Sequence, residues 1–331
     1  MSGKALSVKS DSKINYLAKE ISEYIHRGSA TTEKLSTALH LIKEGTGLKT
    51  LKSLEQSHIG EIVSGLREKA EAGGISLSNA NSNISSINNI IKYLGREDLH
   101  VIKASDYGLS RKINEKDGVN KENSREAVAV FKTWLNEKYL QTNDLRYAAL
   151  KHAVNIQSVN LRLRESLLMK LENKDLSGNI LKVSAKGDGS KNSRARGIKL
   201  NSEQKQALIE ARNFLNSNKL KNLNIGTLKQ GRDFANNALK AFRAETGAQF
   251  HYHGERHYQA HSAYKSAWSA KGYDVECRAR TGESKQDWQN RIISETGLSK
   301  SEFKTMEKEI RQEISRSLGH ERLSITDRYL G

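Results

Sequence analysis

Gly319-His320-Glu321-Arg322-Leu323-Ser324-Ile325-Thr326-Asp327-Arg328-Tyr329 is the stretch from which the rest of the chain is read. Taken alone, Gly-His is a helix C-cap, and a tyrosine at this place is a packing residue. The pattern gains weight from an upstream box, His253-Gly254-Glu255-Arg256-His257, which holds two imidazoles and a guanidinium within five positions. Earlier still, Asn160-Leu161-Arg162-Leu163-Arg164-Glu165-Ser166-Leu167-Leu168 sets two arginines beside a carboxylate. Arginine suits phosphate oxygens, because its planar fork stays charged and donates in pairs. Imidazole moves protons near neutral pH.

Composition narrows the partners. The 331 residues carry 55 Lys+Arg against 38 Asp+Glu, a formal charge of +17. Such an excess favours polyanions, nucleic acid first and an anionic membrane surface second. Aromatics at 6% are too few for a protein built around base-stacking platforms. Cys277 is the single cysteine, so an intramolecular disulfide and a cysteine-based zinc cluster are both excluded. No apolar run approaches a membrane span, and the first residues lack a signal-peptide core, so no membrane partner and a cytoplasmic setting are expected. Proline is absent, and turns must rest on Gly, Asn, Asp and Ser.

Periodicity gives the organisation. Four short amphipathic helices are expected in the first 110 or so residues: Ile14, Leu17, Ile21 and Ile25 on one face; a second capped by Thr32; a third from Ile59 to Ala72, stopped by Gly73-Gly74; and a fourth after Ser78, ending at Gly95. A charged, nearly core-free stretch follows. Helices are then expected at 124–138, 143–157 and 159–171. Gly178 to Val183 and Arg196 to Leu200 flank the loop Lys186-Gly187-Asp188-Gly189-Ser190-Lys191 and read as a β-hairpin. A helix capped by Asn201 with Gln204 follows, then helices at 226–245, 253–270 and 302–317. The boundaries are 1–112 for a helical domain, 113–123 for a linker and 124–331 for a second domain.

Breaking a phosphodiester without a metal needs a nucleophile, cations on the non-bridging oxygens, an acid for the departing 5′ oxygen and an acceptor for the nucleophile's proton. The three boxes together resemble the active-site boxes of the tyrosine recombinase (phage integrase) family. The resemblance implies a mainly α fold with a small β-hairpin, in two domains: an N-terminal helical core-binding (SAM-like) domain and a C-terminal catalytic domain. Arg162 would be the first phosphate clamp, braced by Glu165; Asn160 stands where the family has glycine, and Arg164 is a rival for the clamp. Lys186, with Lys191 as runner-up, would be the general acid. Arg256 would be the second clamp, His253 would bond phosphate or handle a proton, and His257 would support them. His320 would donate to the scissile phosphate, Tyr329 would attack it, and Thr326 would orient the tyrosine's helix. His251, His253, His257 and His261 also invite a zinc reading, but no HExxH order or carboxylate partner completes it.

The resemblance thus implies a site-specific DNA recombinase acting through a 3′-phosphotyrosyl intermediate, for integration, excision or resolution of a mobile element. Its partners would be double-stranded DNA, a homo-tetramer on paired sites and accessory DNA-bending proteins, with no cofactor and no metal. Two readings compete: a type IB topoisomerase, and a basic DNA-binding protein without catalysis. The stretch between Arg256 and His320 is longer than usual for the family, and the extra residues around 272–301 are expected at the surface. Only two residues follow Tyr329 where many relatives have a docking tail, so the coupling of protomers stays open.

Overall fold

The computed structural model describes residues 6–25, 29–109, 120–184, 195–320 and 323–331. The chain divides into two compact units, Met1–Ile113 and Asn114–Gly331. Among the described residues it is mainly helical, with one small antiparallel sheet.

The first unit holds α1 (Asp11–Tyr24), α2 (Ser29–Thr46), α3 (Gln56–Glu71) and α4 (Leu77–Leu94). Ile14, Leu17 and Ile21 of α1 turn inward as expected and meet Leu35, Leu39 and Ile42 of α2, Ile59 and Val63 of α3, and Ile87 and Ile90 of α4 in one core. Two starts differ from expectation. Thr32 lies within α2 rather than at its cap. The fourth helix begins at Leu77, because the Ser76 hydroxyl accepts from the Asn79 amide and fixes the N-terminus there. Gly95 at φ 61 ends it in a left-handed cap.

The second unit contains α5 (Arg125–Thr142), α6 (Leu145–Gln157), α7 (Leu163–Leu168), β1 (Ile180–Val183), β2 (Arg196–Lys199), α8 (Ser202–Ser217), α9 (Leu228–Thr246), α10 (Gly254–Ser269), α11 (Arg278–Thr281), α12 (Lys285–Thr296), α13 (Lys300–Ser317) and α14 (Leu323–Leu330). Its strands pair with Ile180 opposite Lys199 and Val183 opposite Arg196. The hairpin loop, with Lys186 and Lys191, lies outside the described residues.

Two apolar clusters fill this unit. One joins α5 to α9 and both strands, around Phe131, which stacks on Phe250 at 4.3 Å. The other joins α10 to α14 around Trp268, Trp288 and Phe303. The helix expected over 159–171 is reduced to α7. Asn160 takes a left-handed φ of 64, and the Arg162 amide donates to the Glu165 carboxylate (2.8 Å), so the helix starts only at Leu163.

The extra residues before His320 also depart from expectation. They are not a surface addition. Val275, Cys277, Ala279, Trp288 and Ile292 are buried in the same cluster as Tyr329 and Leu330. Trp288 and Ile292 lie one turn apart on α12, a spacing that puts both on one face.

Candidate active site

The site lies in the second unit, where α7, α10, β2 and α14 approach one another. Its centre is Arg256, fully buried on α10. Every arm of its guanidinium is engaged. Nε donates to the Tyr329 hydroxyl (3.2 Å), Nη1 donates to the Asn160 carbonyl (2.6 Å), and Nη2 donates to the Leu318 carbonyl and faces His320 Nε2 at 3.4 Å. The left-handed turn at Asn160 aims its carbonyl at Arg256, which gives the asparagine a stated task. Burial lowers the Arg256 pKa to about 10, with Arg162 and Arg196 acting in the same direction and Tyr329 opposing them.

Tyr329 is 6% exposed on α14. Its hydroxyl lies 2.7 Å from His253 Nε2, and its ring stacks on His257 with centroids 4.4 Å apart. Because Arg256 Nε–H already donates to the phenol oxygen, the phenol proton points to the remaining partner, His253 Nε2. Desolvation of the His253 ring edge, with Arg256, Arg162 and Lys121 nearby, lowers its pKa to about 4. The imidazole is therefore neutral at physiological pH and can accept that proton. His320 is lowered to about 3 by burial and by Arg256 and Arg162. Its Nδ1 lies 3.2 Å from the Thr326 hydroxyl, which is itself buried in α14. Thr326 therefore links α14 to His320.

Arg162 sits at the start of α7 and donates from Nη1 to Glu165 (3.0 Å) while part of its side chain stays open to solvent. Arg164 is exposed on the same helix. Glu165 is fully buried and carries a second guanidinium, Arg196, whose Nη1 and Nη2 donate to its two oxygens at 2.9 and 2.8 Å. Burial works to protonate Glu165, but Arg196 and Arg162 outweigh it and hold the carboxyl below its usual range. The Arg196 side chain crosses Gly319, whose left-handed φ of 66 leaves a bare face there: a Cβ would lie 3.1 Å from Arg196 Cδ. The structure therefore brings together Arg162, His253, Arg256, His320 and Tyr329. Lys186 lies outside the described residues.

Sequence reading missed several members. Arg196 was read only as a strand residue, yet it shares the inward face of β2 with Ile198, two positions on. An arginine on an inward strand position signals a buried carboxylate. Glu122 and Asn123 were read as linker, but Asn123 is 3% exposed. It exchanges two bonds with His251: its Nδ2 donates to the His251 carbonyl (2.9 Å) and its Oδ1 accepts from the His251 amide (2.8 Å). Asn123 also lies so close to Gly254 that a Cβ there would stand 2.4 Å from its Oδ1. Only glycine fits at the start of α10. Arg125 forks onto the buried Glu255 at 2.6 and 3.1 Å and holds the same turn.

Of the histidines weighed as metal ligands, His251, His253 and His261 have other partners, His251 Nδ1 lying 2.9 Å from Arg243 Nη2. His253 faces Tyr329, and His261 lies between Glu122 and the Tyr329 carbonyl. Among the described residues no helix is long and apolar enough to cross a membrane.

No protein-family profile and no curated protein matches the chain. Solved structures do. A Tn1549 transposon integrase in complex with transposon right-end DNA is 13% identical, with a TM-score of 0.55 over 96% of this chain and 94% of that one. The XerH site-specific recombinase, bound to a palindromic difH substrate in a post-cleavage complex, is 14% identical, with a TM-score of 0.56 over 97% of this chain and 80% of that one. At this identity the likeness is one of fold. The fold of this chain is that of the tyrosine recombinases.

Proposed function

We propose that the protein is a site-specific DNA recombinase that cuts and rejoins strands through a covalent bond to Tyr329. The observation that carries this reading is the Tyr329 hydroxyl held between His253 Nε2 at 2.7 Å and Arg256 Nε at 3.2 Å. In the cleavage step the phenol oxygen bonds to phosphorus as its proton passes to His253. Arg256, Arg162 and His320 take up charge on the non-bridging oxygens, and the bond to the 5′ oxygen breaks. Lys186 is assigned the proton delivered to that leaving oxygen. Rejoining runs the same path backward, with a 5′ hydroxyl as nucleophile. The phosphotyrosyl bond stores the energy of the broken one, so neither a nucleotide nor a metal enters the scheme. The charge of +17 supports double-stranded DNA as the substrate. The reading extends to a homo-tetramer on paired sites, helped by DNA-bending proteins, in the movement or resolution of a mobile element. Since Tyr329 meets guanidinium and imidazole groups of its own chain, cleavage is assigned to the subunit that supplies the site.

The test is to mix the protein with fragmented genomic DNA, denature it and sequence any DNA that stays attached. Attachment at one recurrent sequence, through the 3′ end and lost in Tyr329→Phe, is expected. Absence of any attached DNA overturns the reading. Relaxation of a supercoiled plasmid without exchange between two copies of the recovered site would instead favour a type IB topoisomerase.

A further inference from the structure

Beside the site, but outside the groups assigned to the reaction, lies a second buried polar cluster. His261 is fully buried on α10, two turns after His253. Its Nδ1 is bonded to Glu122, in the segment before α5, and its Nε2 to the backbone carbonyl of Tyr329 itself. Arg280 of α11 closes the cluster: Nε and Nη2 donate to the two Glu122 oxygens at 2.6 and 3.0 Å, and Nη1 donates to Glu276 at 3.2 Å. A carboxylate and a carbonyl can only accept. Both ring nitrogens must therefore donate, and His261 must be an imidazolium. That cation lies at the C-terminal end of α14, where the unpaired carbonyls of a helix favour positive charge.

We propose that His261 is a positioning residue for the nucleophile: as an imidazolium anchored by Glu122, it ties the carbonyl of Tyr329 to α10 and holds the phenol in register with His253 and Arg256. The proposal rests on the function assigned above for its consequence in cleavage, but not for its structural content. α10 supplies both the anchor and the reacting partners. Any slack at His261 would therefore become a displacement of the phenol against groups that stay fixed. A misplacement of about 1 Å is enough to slow a reaction by about a hundredfold.

The groups facing His261 are Glu122 from the segment before α5, Cys277 and Arg280 from the α11 region, His257 on α10 and the Tyr329 carbonyl on α14. Burial opposes the charge, but Cys277, Glu122 and the Tyr329 carbonyl outweigh it and raise the His261 pKa to about 9. Anchoring is thus present below that pH and lost as pH rises through it. Without the Glu122 charge, the loss moves to lower pH.

The experiment uses the full chain and two variants, His261→Gln and Glu122→Gln, with two readouts. The first is amide hydrogen exchange of residues 323–330 without DNA, followed against pH. The second is the single-turnover rate of adduct formation on a nicked duplex carrying the site recovered from wild-type adducts. Both variants should exchange at least tenfold faster in α14 than wild type while α5 to α9 keep their protection. Glu122→Gln should loosen at lower pH than wild type. Adduct formation should slow by about a hundredfold at saturating DNA, with DNA affinity unchanged. If His261→Gln does not fold, Glu122→Gln decides alone. Wild-type exchange in α14 at every pH overturns the proposal, whatever the activity. A protein whose α14 loosens as expected but whose wild type forms no adduct overturns the assigned function and leaves the anchor standing.

Discussion

Among the described residues, the first unit buries only three polar side chains besides tyrosine, Ser22, Asn83 and Ser86, and no acidic, basic or imidazole group. The second buries Glu165, Glu255, Arg256, His257, His261, Glu307 and His320. The two are stabilised by different means. An apolar core tolerates exchange of one side chain for another of similar volume. A buried ionic cluster does not, because removing one partner strands the other, at a cost of about 3–5 kcal/mol. In the second unit such buried groups place the Arg256 guanidinium and the neutral His253 imidazole on the Tyr329 hydroxyl.

The sharpest break of the comparison is Tyr329→Phe. It should abolish the covalent DNA adduct, read on a denaturing gel, and lower stability by only about 1–3 kcal/mol, since buried Arg256 Nε and His253 Nε2 lose their shared partner while the ring keeps its stack on His257. Arg256→Ala should both slow adduct formation by about 10²–10³-fold, the loss of one charge-stabilising donor, and lower the unfolding temperature, since the Asn160 and Leu318 carbonyls lose their donor. A change in the first unit should separate these two effects. Leu39→Ala should cost about 2–5 kcal/mol of stability in denaturant unfolding, while single-turnover cleavage at saturating DNA stays at the wild-type rate.

Acid should also tell the units apart. His257 and His320 are pushed down to about 3, by burial first and then by neighbouring positive groups. An unfolded histidine binds its proton near pH 6.5, so between about 6.5 and 3 the unfolded state holds more protons. Stability contributed by the neutral form is full above 6.5 and falls as pH drops through that window, by at most about 1.4 kcal/mol per pH unit for each group. Hydrogen exchange at pH 5 should therefore rise in α10 and α13 before it rises in α2 and α4. The smallest effect is Ser76→Ala, which removes the α4 cap and should cost about 1 kcal/mol by the same denaturant measurement.

The same contrast explains what could be read in advance. In α1 to α4 the spacing of Ile, Leu and Val carries the fold, because the core there is overwhelmingly apolar and no charged or imidazole side chain is buried among the described residues. Only helix starts shifted, as at Ser76, where one hydroxyl decides between neighbouring candidates. In the second unit the boxes around Arg162, Arg256 and Tyr329 were legible as patterns. Arg196, Glu122 and His261 were not, because their partners lie 31, 158 and 139 positions away in pairs such as Arg196–Glu165, Glu122–Arg280 and Glu122–His261. No local period records such a pairing. Charge at the surface and charge in the interior look alike in a string of letters, and a segment rich in Lys and Glu reads as solvated even when its last carboxylate is sealed against a helix.

The short helices α11 and α12 have a practical consequence for anyone reshaping this protein. Trp288 and Ile292 lie in the cluster that supports Tyr329 and Leu330, and a Cβ on Gly331 would stand 2.8 Å from the Ala279 amide nitrogen. Trimming residues 272–301, as one trims a decorative loop, would remove the floor on which Tyr329 stands. A fusion partner or label belongs elsewhere, on a face that the terminal helix does not use as its seat.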